Sequence, residues 1–153
     1  MAADAYLDGL RILAGRELSE AQVRQRLARR GHGPRTIDTA IARLKEARAI
    51  DDARVAETIA RTETAVKHRG KLRVRLQIER AGIAAATARH AVDEIFAQLD
   101  DEALIEAVLA KRLGGRAHIA DEREYTRLYR YLVGQGFEGE RVMKALAARR
   151  PRR

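Results

Sequence analysis

At 153 residues the chain has room for one compact domain, or for a row of small repeats that share a continuous core. Apolar residues make up 46% and are chiefly Ala, Leu, Ile and Val. Aromatics are only 4%, with two Pro and no Trp, a mix that suits helices and lacks the aromatic surplus of sheets. Lys and Arg outnumber Asp and Glu by 31 to 22, a formal charge of +9 that favours encounter with polyanions, and the absence of Cys excludes disulfides and thiolate metal sites.

The first helix is expected over about 3–14. The segment Met1–Tyr6 has no charged stretch leading into an apolar run, and nothing later approaches the roughly 18 apolar residues of a membrane span, so a cytoplasmic protein without membrane contact is expected. Ser19 followed by Gln22 has the capping-box spacing and opens a helix that ends at Gly31. Gly33-Pro34 opens the next, which runs to about Arg48. Asp51-Asp52 and Asp100-Asp101-Glu102 read as N-caps of helices over 52–67 and 101–113 rather than as metal or acid–base pairs, because a carboxylate there accepts the free N–H groups of a first turn. Between them, Lys71–Ile78 alternates polar and apolar residues as a half-buried strand would. A lone strand among helices would leave its backbone groups unpaired, so a helix is expected, with Val74 and Ile78 on one side and Leu72 and Leu76 nearly opposite, buried on two faces.

Self-similarity organises these elements. Gly31, Gly82 and Gly136 each follow an apolar pair spaced four apart: Val23 and Leu27, Val74 and Ile78, Leu128 and Leu132. Each precedes a second such pair: Ile37 and Ile41, Ala88 and Val92, Val142 and Leu146. That pattern describes a helix, a glycine cap with positive φ, and a helix folded back on the first. With one helix in front of each pair, the expected fold is all-α, in three tandem three-helix repeats over 1–50, 51–99 and 100–148, followed by a disordered basic tail at 149–153.

Catalytic patterns are not found. Gly70-Lys71 resembles the end of a phosphate-binding loop, but Ala65 stands where its first glycine belongs and Leu72 where its hydroxyl belongs. His32, His68, His90 and His118 lack metal-ligand spacing, and no nucleophile elbow is present, so a binding protein without cofactor is expected rather than an enzyme. Basic residues are the remaining signal. Arg61, Lys67, Arg69, Lys71, Arg73, Arg75 and Arg80 have only Glu63 and Glu79 as nearby counter-charges; such a cluster reads equally as a phosphate or acidic-protein contact and as a solvated face. Arg24, Arg26, Arg29, Arg30 and Arg35 add to it. Tyr125, Tyr129 and Tyr131 interleave with Arg123, Arg127 and Arg130, where Tyr125 falls on the core side and the other two stay open. The candidate contact residues are Arg24, Arg29, Lys67, Arg69, Lys71, Arg73, Arg75, Arg80, Arg127 and Arg130.

At these positions the sequence resembles the RecX family of RecA modulators. The resemblance rests on Ala14-Gly15-Arg16-Glu17-Leu18-Ser19 with Val23, Leu27 and Gly31, and on Ile50-Asp51-Asp52 with Val55-Ala56. It continues through Leu76, Gly82 and Ile83, and through Arg130-Tyr131-Leu132-Val133-Gly134-Gln135-Gly136-Phe137 with Val142 and Leu146. It implies an elongated, curved helical array lodged in the groove of the RecA–DNA filament, limiting filament growth, ATPase and strand exchange, with a role in homologous recombination, DNA repair and the SOS response. Single- or double-stranded DNA is implied as a further partner, and a monomer is expected. The departure is Gly31-His32, where an apolar residue would match Gly82-Ile83 and Gly136-Phe137. A helical DNA-binding protein acting without RecA, and a purely structural adaptor, are the competing readings.

Overall fold

A computed structural model describes residues 3–151, and among them there are nine helices and no strand. They are α1 (Ala5–Gly15), α2 (Glu20–Arg29), α3 (Pro34–Glu46), α4 (Asp52–Ala65), α5 (Lys71–Arg80), α6 (Ala85–Phe96), α7 (Asp101–Leu113), α8 (Glu122–Gly134) and α9 (Gly139–Ala147). The all-α expectation holds, and the strand-like alternation at Lys71–Ile78 forms α5.

Helix starts follow the capping residues. Ser19 closes a capping box with Gln22, and Pro34 opens α3. Asp100 accepts from the N–H groups of Glu102 and Ala103 at 3.0 and 3.2 Å, and Asp121 accepts from Glu124 at 2.8 Å. Asp51 caps α4 by accepting the Arg54 N–H at 3.1 Å. Its neighbour Asp52 does different work, accepting the Glu20 N–H at 2.8 Å and so capping α2 from another helix. The three joint glycines turn left-handed, at φ 89, 80 and 101° for Gly31, Gly82 and Gly136.

Compact packing groups the chain into two units, one holding the described residues through Thr58 with Gln77–Ala91, the other Ile59–Leu76 with the described residues from Val92 onward. In the first, Ile12, Leu18, Val23, Leu27, Ile41 and Leu44 fill the core between α1, α2 and α3. Along the edge of α2, the buried Ser19 hydroxyl donates to the Ala81 carbonyl, and Gly82 lies so close to Ala21 that a Cβ would meet that side chain at 2.5 Å.

At the first joint His32 replaces the buried apolar residue that the other joints supply as Ile83 and Phe137. Its Nε2 lies 2.8 Å from Asp8, a carboxylate of α1 that is itself buried, and Arg30 reaches the same carboxylate at 3.3 Å. The hydrogen bond from His32, then the nearby Arg30, holds the Asp8 carboxyl below its ordinary value despite burial. A group depressed in the folded state contributes stability above its unfolded pKa of about 3.9 and loses it as pH falls through the folded value. Asp8→Asn is therefore expected to lower the urea midpoint by a constant amount at neutral pH, with the gap from wild type closing below about pH 4; a gap unchanged at pH 3 would disprove the linkage.

The second unit has its own core of Ile105, Leu109, Leu113, Leu128, Leu132 and Leu146, with Ile119, Phe137 and Val142. Within it α5 returns at Gly70, which donates its N–H to Gln135 at 2.8 Å, while Leu72 donates to Gly136 at 3.1 Å. A Cβ on Gly70 would stand 2.5 Å from the Gly136 carbonyl carbon and the Phe137 nitrogen, so only glycine allows these backbones to meet. The resemblance of Gly70-Lys71 to a phosphate loop is thus explained by packing.

Two expectations are corrected here. α5 is not buried on two faces: Val74 and Ile78 are fully covered, but Leu72 and Leu76 are 56% and 40% exposed. The basic tail is not disordered where it is described. The Arg149 carbonyl accepts the Ile119 N–H at 2.9 Å and its guanidinium pairs with Glu106 at 2.8 Å, while Arg150 covers the Tyr125 ring and pairs with Glu122 at 3.4 Å. Fixed aromatic and carboxylate partners hold these two arginines; Arg152 and Arg153 lie outside the described residues.

Candidate interaction surface

The ten candidate cations divide between the two units. In the first, Arg24 of α2 is held by Asp38 at 2.6 Å and Glu20 at 3.3 Å, so much of its charge is met within the protein. Those carboxylates raise the Arg24 pKa further, Asp38 most. Arg29, at the end of α2, and Arg80, at the end of α5, are exposed.

In the second unit the cluster is more heavily engaged than the sequence suggests. Lys67 and Arg69 converge on one buried carboxylate, Glu63, at 3.0 and 2.7 Å. Two cations on one carboxylate leave a net positive charge there. Lys71 pairs with Asp93 of α6 at 3.2 Å, a counter-charge distant in sequence. Arg73 donates Nη1 to the Gly134 carbonyl at 3.1 Å, and its Nε is buried without a partner. Its Cβ packs on Gly136. Arg73 is therefore part of the α5–α8 packing as well as a surface cation. Arg75 is half-buried on the same helix, and Arg127 and Arg130 are exposed on α8.

The tyrosines are engaged as well. Tyr125, Tyr129 and Tyr131 all pack in part against the second core, and the Arg112 guanidinium lies 3.5 Å over the Tyr131 ring. The Tyr129 hydroxyl sits against Gly139, close enough that a Cβ there would come within 3.0 Å. Glu124, at the start of α8, is held down to about 2 by its hydrogen bond from Arg116 and by the Ala120 N–H at 2.7 Å. Among the described residues no group of three or more His, Asp or Glu is arranged to hold a metal ion, and no helix is long and apolar enough to cross a membrane.

These features define a basic, all-α protein whose charged surface is laid over helix pairs hinged at left-handed glycines. A sequence profile described as "RecX, first three-helix domain" matches residues 5–44, the span of α1, α2 and most of α3. The regulatory protein RecX of Acidithiobacillus ferrooxidans is 36% identical over 145 residues, covering 94% of this chain and 89% of its own length. That of Halorhodospira halophila is 33% identical over 150 residues, covering 96% and 89%. Among solved structures, RecX from Lactobacillus salivarius superposes with a TM-score of 0.78 at 20% identity, over 94% of this chain and 92% of that one. The chain belongs to the RecX family of regulatory proteins.

Proposed function

We propose that this chain binds the RecA recombinase–DNA filament and inhibits its growth, ATPase and strand exchange, as a non-enzymatic cytoplasmic regulator of recombination and repair. The observation that carries the proposal is identity of 36% over 94% of the chain with a protein named regulatory protein RecX. The partition into three-helix repeats at 1–50, 51–99 and 100–148 belongs to the same proposal. The net charge of +9 supports a partner that is negatively charged.

The test is RecA's single-strand-DNA-dependent ATPase titrated with this protein. Inhibition is expected well below one copy per RecA, because one molecule in the groove or at the growing end stops addition of many subunits. A protein that only coats DNA competes site by site and needs amounts near DNA saturation. That outcome, unrelieved by excess RecA, would leave DNA binding without RecA as the function. Charge reversal is best made at Arg80 and Arg130, both exposed. Arg73 is unsuitable, since a carboxylate there would face the Gly134 carbonyl. Truncation at Asp121 is equally unsuitable, because it would strip Leu128, Leu132, Phe137, Val142 and Leu146 from the second core.

A further inference from the structure

α7 carries apolar residues on two sides. Ile105, Leu109 and Leu113 are fully buried in the second core, whereas Leu104 and Val108, the positions just before the first two, are half-buried and Ala107 is exposed. A surface helix needs only one apolar stripe to hold its place. The second row packs one edge on the core and turns the other into an open groove of about 550 Å³. Lys67 and His68, which follow α4, stand on the groove wall, as do Lys111, Arg112 and Tyr131. Among the described residues no Asp or Glu lines it. Lys67 shares Glu63 with Arg69, and neither Lys111 nor Arg112 has a carboxylate partner among the described residues.

An aliphatic floor beside a wall whose charged residues, Lys67, Lys111 and Arg112, are all basic selects its occupant by complementarity. Carboxylates alone would leave the floor wet, and an apolar segment alone would leave the cations unmet. Single-stranded nucleic acid finds no stacking platform here, since the Tyr131 ring is already covered by Arg112 at 3.5 Å, and a phosphate backbone has nothing to seat on the aliphatic floor. The geometry points to this groove as a docking site for an acidic amphipathic segment of a protein partner, with aliphatic side chains seated on Leu104, Ala107 and Val108 and carboxylates met by Lys67, Lys111 and Arg112. The inference goes beyond the filament reading, because the second unit alone defines the groove and its occupant.

The test uses the full chain and a fluorescein-labelled amphipathic peptide with Leu along one face and Glu flanking it. Fluorescence anisotropy is expected to show saturable binding that weakens about tenfold or more when every Glu is replaced by Gln, and about tenfold or more in Ala107→Glu. Ala107 is exposed on its helix, so the new side chain blocks the floor without entering the core. Lys111→Glu, also at an exposed position, is expected to do the same, while Ala53→Glu, exposed on α4 of the first unit, is expected to bind as wild type. Circular dichroism melts confirm that each variant is folded. Binding unaffected by both groove variants overturns the proposal, as does complete displacement of the peptide by oligothymidylate. Either result leaves the ATPase titration to decide the filament reading separately.

Discussion

Gly70→Ala is expected to lower the melting temperature by about 5–15 °C, while Gly15→Ala, the same chemical change, raises it slightly. At Gly70 the added Cβ meets backbone atoms of Gly136 and Phe137 at 2.5 Å, and backbone cannot step aside as a flexible side chain can. Relief requires moving the start of α5 away from the α8–α9 joint, which strains the Gly70-to-Gln135 and Leu72-to-Gly136 hydrogen bonds. Overpacking costs about 1–3 kcal/mol and the two strained hydrogen bonds together lose the worth of one, about 0.5–1.5, so a loss of about 1.5–4.5 kcal/mol is expected, with each kcal/mol worth about 2–4 °C in a chain of this size. Gly15 closes α1 with open space around it, so a methyl there gains up to about 1 kcal/mol by restricting the unfolded chain. Thermal melts followed at the helical dichroism band measure both. Equal and small shifts would mean that Gly70 is not held against Gly136.

Leu132→Ala is expected to destabilise the protein by about 3–4 kcal/mol, whereas Leu76→Ala stays within about 0.5. Leu132 is fully buried among Ile105, Leu109, Leu128 and Val142, and its truncation removes apolar contact and leaves a cavity that the surrounding helices close only in part. Leu76 is 40% exposed, so its truncation mostly removes side chain from water. Urea denaturation with an unchanged slope distinguishes the two. A cost at Leu76 approaching that at Leu132 would show that α5 is covered on both faces in solution.

That pair of leucines also shows where sequence reading stops. Periodicity of 3.6 found α5 and correctly assigned Val74 and Ile78 to the core, because those positions repeat the glycine-anchored spacing seen at Val23 and Leu27. Periodicity cannot say whether an opposite apolar row is covered, since covering depends on what the rest of the chain brings near. The same gap hid the groove beside α7, since whether Leu104 and Val108 are covered depends on what the rest of the chain brings near them. Caps were legible because they act within three residues; that Asp52, in the first turn of α4, also caps α2 from more than thirty residues away was not. The candidate cations were visible as charge. Which of them are met internally, by Asp38 for Arg24 or Asp93 for Lys71, depended on tertiary neighbours that no local pattern encodes. His32 carried a usable signal: a polar residue where repeats demand an apolar one implies a buried partner, and Asp8 supplies it.

The first unit is interrupted in the chain, since Gln77–Ala91 returns to residues that end at Thr58. During synthesis the helices α1, α2 and α3 leave the ribosome with most of their shared core, yet the edge of α2 is still bare. Ser19 is fully buried in the finished protein, but its acceptor on Ala81 has not been made, and Ala21 waits for the backbone of Gly82. At about 5–20 residues per second, that edge stays open for roughly 2–7 s. Through those seconds the nascent chain presents a seam that its own residues 77–91 close later.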